Sequence, residues 1–181
     1  MILSDVDILR AIERGEIKII PFKRENLGPC SVDLTLGSKF RTFGRGLETV
    51  DPNAVVSTAD NTVLIDTRGE PFIIRPGEFV LGITRERIAV SKGYAATLEG
   101  KSSIARLGLV VHAAGLVNPG TGMREPSQLV LEIFCQNSIP VKLYPGMKIV
   151  QIIFHKLTTP ASVGYDEREG SKFVGQKEPV L

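Results

Sequence analysis

Three turn signals divide this chain: Arg75-Pro76-Gly77, Asn118-Pro119-Gly120 and Tyr144-Pro145-Gly146. Proline presets the backbone angle that the first turn position needs, and glycine reaches the left-handed region at no steric cost. Around these turns lie short runs with a period of two. Residues 31–36 set Val32, Leu34 and Leu36 against Ser31, Asp33 and Thr35, the alternation of a half-buried strand. Further β-type runs cover residues 17–20, 62–66, 72–74, 78–86, 95–99, 107–112, 129–136, 141–143 and 148–157. Many short strands with frequent turns predict a mainly β chain, folded as a sandwich, barrel or jelly roll.

Two short helices interrupt the pattern. Ser4 is a good N-cap, Asp5 and Asp7 place negative charge in a first turn, and Ile8, Leu9 and Ile12 form an apolar stripe that Gly15 ends. These features predict a helix over residues 4–14. A second helix is predicted to start near Ser102. At 181 residues the chain fits a single domain. Its final stretch, 158–181, is polar, carries Gly164, Gly170 and Gly175, and has few core-forming side chains. That composition reads as a mobile tail or a flexible lid.

A net charge of +2 argues against a general nucleic-acid binder. No apolar run reaches the roughly 18 residues of a membrane span. No signal peptide opens the chain, which sets a cytoplasmic expectation. Cys30 and Cys135 have no CxxC spacing and read as reduced thiols in or near the core. His112 and His155 sit in apolar strands and read as hydrogen-bonded core histidines rather than metal ligands. No His-x-Glu with a Pro-Cys-x-x-Cys partner exists, which excludes the zinc-dependent base deaminase signature. No protein-bound metal is expected.

Three segments can carry chemistry. Residues 98–109 include Gly100, Lys101, Ser102, Ser103, Arg106 and Gly108 at a strand-to-helix turn. Free N–H groups, hydroxyls and cations suit an anionic phosphate. The same residues also suit an ordinary capped helix with solvated Lys and Arg. Residues 112–120 bring small side chains before a tight turn and leave backbone amides accessible, or form a plain β-turn. Glu132 is a lone carboxylate within Leu129-Val130-Leu131-Glu132-Ile133-Phe134. If partly buried, its pKa rises toward the range useful for moving protons near neutral pH. It reads otherwise as a solvent-facing strand residue or the partner of an arginine.

Taken together, these segments resemble the dCTP deaminase branch of the dUTPase superfamily, over nearly the whole chain. The likeness runs from Met1-Ile2-Leu3-Ser4-Asp5 through 31–37 and the Gly-Lys-Ser-Ser segment at 100–103 to Val130-Leu131-Glu132. It continues with Pro145-Gly146-Met147, Gln151, Tyr165, Lys172 and Gly175-Gln176. The resemblance implies a distorted β-barrel or jelly roll of the dUTPase-like fold, assembled as a homotrimer with active sites at subunit interfaces. It implies zinc-independent hydrolytic deamination of dCTP to dUTP and ammonia, with dUTP and dTTP as possible further ligands. Magnesium would ride on the triphosphate.

The same resemblance implies the roles. Glu132 would be the catalytic base, with Ser102 and Arg106 beside it. Lys101, Ser102, Ser103 and Lys172 would hold phosphates, and Asn118 would meet the sugar. Ala114, Val130 and Leu131 would line the base site, and Gln151, Tyr165 and Gln176 would close over the nucleotide. The chain departs from the family pattern at three places. Lys101 replaces an arginine and loses its bidentate fork. Asn118 replaces an aspartate that activates water in dUTP-hydrolysing relatives, and Asn cannot act as a base. The spacing over 113–128 is irregular. A dUTP diphosphatase, a bifunctional enzyme forming dUMP, and a non-catalytic nucleotide-binding regulator are the alternatives.

Overall fold

The computed structural model describes residues 1–44, 62–112 and 114–181. Helix α1 (Asp5–Glu13) opens the chain and is followed by β1 (Ile17–Ile20), β2 (Val32–Thr35), β3 (Lys39–Phe43), β4 (Thr62–Asp66) and β5 (Phe72–Ile74). The long β6 (Phe79–Val90) and β7 (Tyr94–Gly100) lead into helix α2 (Ser102–Ala105). Then come β8 (Leu109–His112), β9 (Leu116–Val117), β10 (Ser127–Cys135), β11 (Val141–Leu143) and β12 (Lys148–Lys156). Among the described residues the fold is mainly β with two short helices.

Local chemistry places the ends of α1. The Asp7 N–H donates to Ser4 Oγ at 3.3 Å, and Gly15 takes a φ of 70° just after the helix. Every described strand pair is antiparallel. One six-stranded sheet runs β4-β3-β6-β10-β8, with β1 also on β6. A four-stranded sheet runs β2-β12-β7-β9, and β11 pairs with β5. Period-two burial fills the core between them. Leu131, Ile133 and Cys135 of β10 meet Val32 and Leu34 of β2 and Ile152 and Phe154 of β12 in one apolar cluster.

A polar tie joins the two larger sheets. The Thr35 N–H and hydroxyl donate to the two oxygens of buried Glu86 at 2.8 and 2.7 Å. A carboxylate removed from water needs such partners.

Four features differ from the sequence-based expectation. Strand β3 carries Lys39 and Arg41 and has a single fully buried anchor, Phe40, so its apolar signal is weak. Strand β6 runs on to Val90 because β1 pairs with its far end, Ile17 opposite Val90. Cys30 is exposed, whereas Cys135 is buried. His112 is exposed on β8, and His155 is half-buried with its Nε2 3.1 Å from Thr97 Oγ1.

Candidate active site

Strand β10 presents two unlike faces. Leu131 and Ile133 point into the core, so Val130 and Glu132 point the other way. Glu132 stands opposite Leu81 on β6 and His112 on β8. A cavity of about 550 Å³ opens in front of it. Ala114, Asn118, Val130, Tyr165 and Gln176 line this cavity together with Glu132. Its other walls are largely apolar, with Leu81, Leu98, Leu129 and Phe173 among them.

The Glu132 side chain is half-buried. Its Oε2 is buried and has no hydrogen-bond partner among the described residues. Burial raises its pKa above the usual carboxylate value, while its own N–H, nearby His112 and the Ala114 N–H pull it back down. An acid in this setting gives and takes protons closer to neutral pH than an exposed one.

The second constellation lies elsewhere on the chain. Lys101 caps α2, Ser102, Ser103 and Arg106 are exposed, and buried Ile104 pins the turn to the body. Lys101 Nζ is ion-paired with Asp33 Oδ1, and Lys148 Nζ lies 3.2 Å from Asp33 Oδ2. None of Lys101, Ser102, Ser103 and Arg106 lines the cavity of Glu132. Gln151 on β12 accepts from Ser31 Oγ at 3.2 Å and is not in the cavity wall either. Lys172 is exposed outside it, and Leu131 belongs to the core. Ala113 lies outside the described residues.

The C-terminal stretch folds back on the body of the chain. The Gln128 N–H donates to Gln176 O at 3.0 Å, and the Gln176 N–H donates to Ser127 Oγ at 2.8 Å. Arg41 Nε donates to Pro179 O at 2.5 Å, and Lys177 pairs with Glu125 at 2.7 Å. These contacts carry Phe173 and Gln176 to the cavity rim. Thr121, Ser127 and Phe173 line the cavity and escaped sequence reasoning. Ser127 could have been found as the polar start of an apolar strand; the other two carry no local signal.

Among the described residues no group of three or more His, Cys, Asp and Glu side chains could hold a metal ion. No described helix is long and apolar enough to cross a membrane.

Residues 2–157 match the dCTP deaminase-like family. The chain belongs to that family. It is 42% identical over 184 residues to a protein of Dictyoglomus thermophilum named dCTP deaminase, dUMP-forming, spanning 99% of this chain and 93% of that one. It is 42% identical over 185 residues to a dCTP deaminase of Haloarcula marismortui, spanning 99% and 92%. These relatives are enzymes, and so is this chain. The crystal structure of 2'-deoxycytidine 5'-triphosphate deaminase from Agrobacterium tumefaciens superposes with a TM-score of 0.66 at 21% identity. That match covers 86% of this chain and 48% of the other, so the chain spans about half the length of that protein, and the likeness is one of fold.

Proposed function

We propose that the enzyme deaminates dCTP hydrolytically to dUTP and ammonia, without a bound metal. The observation that carries this reading is the half-buried Glu132 carboxylate, one oxygen buried without a partner among the described residues, facing a cavity large enough for a nucleoside. Glu132 takes a proton from water as the water oxygen bonds to the amino-bearing carbon of cytosine. It passes that proton to the ring nitrogen, and a further transfer lets the amino group leave as ammonia. Ser102 and the Ala114 backbone hold the water, and Arg106 steadies developing charge. Val130 and Leu131 offer the strand backbone to the base, and Asn118 meets the sugar.

The cavity wall contains a carboxylate and, among the described residues, neither lysine nor arginine. A triphosphate needs cations, with its magnesium as part of the substrate. This supports a homotrimer in which Lys101, Ser102, Ser103 and Arg106 reach the cavity of a neighbouring copy. Residues 158–181 then act as the lid, bringing Gln176 and Lys172 over the nucleotide, with Tyr165 and Gln151 of β12 beside it. The cytoplasm, where nucleotide pools are held, is the proposed location.

A second reading, continuation to dUMP and pyrophosphate, is favoured by relatives whose printed names say dUMP-forming. Asn118 in the cavity weighs against it, because Asn cannot activate a second water. Following ammonia and pyrophosphate together from dCTP separates the two. Ammonia alone supports dUTP as product, both in equal amounts support dUMP, and neither overturns the deaminase reading.

A further inference from the structure

A clasp joins two walls of the cavity. The loop after β9 supplies Asn118 and Thr121, and the turn at Tyr165–Glu167 supplies Tyr165. Asp166, only 4% exposed, stands between them. Its Oδ1 accepts from the Gly122 N–H at 3.1 Å, and its Oδ2 accepts from the Arg124 N–H at 3.0 Å. Beside it the Tyr165 N–H donates to Pro119 O at 2.7 Å. The two backbones touch: a Cβ on Gly120 would sit 2.4 Å from Gly164 Cα. On its far side the loop is bonded to β6, because the Gly120 N–H donates to Val90 O and the Val90 N–H donates to Thr121 O.

Asp166 does not line the cavity. It nevertheless fixes both residues on either side of the gap, Asn118 through the loop and Tyr165 through its own backbone. We infer that Asp166 is a positioning residue that holds the Asn118 and Tyr165 walls at nucleotide-binding distance before substrate arrives. This rests on the proposed reading of the cavity as the nucleotide site. It also divides the C-terminal stretch: residues 164–167 are a built part of the wall, and only residues 168–181 are left to move as a lid. A site assembled in advance spends less binding energy on ordering itself.

Asp166→Asn is the test, because Asn has one acceptor oxygen for two N–H donors. One bond of the clasp is lost and an NH₂ faces a backbone N–H. The expected result is a rise in KM for dCTP on the order of tenfold, the effect of one lost hydrogen bond to a charged group. The kcat per folded enzyme stays within about twofold, and the amides of Gly122 and Arg124 lose protection from hydrogen exchange. Adding Asp166→Asn to Tyr165→Ala leaves KM where Tyr165→Ala alone puts it, since both act through one wall. A purely structural role lowers the active fraction at unchanged KM, and that result overturns the inference, as does full additivity with Tyr165→Ala. A parent protein that binds dCTP but releases no ammonia sinks the deaminase reading alone, and Kd then replaces KM in the same comparison. A parent that does not bind dCTP overturns both.

Discussion

Glu132→Gln keeps the size and shape of the side chain and removes its base. Glu132 lies on a paired strand between β6 and β8, and its neighbours Leu131 and Ile133 are fully buried, so the substitution leaves the fold in place. Positioned acid–base groups contribute about 10²–10⁴-fold to rate, or about 3–5 kcal/mol of barrier. Ammonia release from dCTP should fall by that factor with KM little changed. Stability moves the other way. In the unfolded chain this carboxyl titrates near its ordinary value of 4.5, and in the fold burial raises it. Between those two points the folded protein keeps a proton the unfolded chain has lost, so stability falls as pH rises through that window. Above it the desolvated carboxylate weighs on the native state in full. Glutamine does not titrate. The variant should therefore gain on the parent as pH climbs from about 4.5 and be the more stable of the two at neutral pH. Denaturant unfolding of both proteins at several pH values measures this. Parental ammonia release by the variant refutes the role of Glu132. A stability difference independent of pH refutes the desolvated carboxylate.

Gly122→Ala should cost roughly 2–4 kcal/mol in denaturant unfolding, because φ is 72° and the new Cβ would lie 2.1 Å from Ile88 O. Lys101→Ala should raise KM for dCTP about tenfold with little loss of thermal stability, since Asp33 keeps Lys148 as a partner. Removing residues 170–181 should lower kcat/KM for dCTP at least about tenfold, given the loss of Gln176 and Phe173 from the cavity rim; steady-state kinetics at parental level would rule the lid out. The acid limb of kcat/KM should sit above the ordinary carboxylate value, as the raised Glu132 pKa requires, and a limb at or below 4.5 would contradict it.

Strands β1, β4, β5 and β11 end where their apolar runs end, at 17–20, 62–66, 72–74 and 141–143. Proline, glycine and charged residues bound those runs closely, so local sequence was enough. The two-residue β9 could not be read that way. It exists because Val117 pairs with Ala96 and Leu116 with Thr97 across the sheet, and such a partner is invisible locally. The site divides in the same manner. Glu132 stood out because a carboxylate among apolar strand residues breaks a rule. Asp166 did not, because its partners are backbone N–H groups 44 and 42 residues away and every residue has a backbone. Ser102 and Arg106 were legible as a phosphate loop, whereas their separation from Glu132's cavity is a matter of three-dimensional placement.

A cavity wall with a carboxylate and no lysine or arginine among its described residues makes each subunit, on the proposed reading, half of an enzyme. A lesion at Glu132 silences the pocket of the copy that bears it, whereas a lesion at Arg106 silences the pocket next door. Two preparations, each dead through a different half, would then recover turnover when their subunits are exchanged, because some mixed rings pair an intact pocket with an intact loop. Dilution below the point of assembly would extinguish the parent enzyme in the same way, with no residue altered.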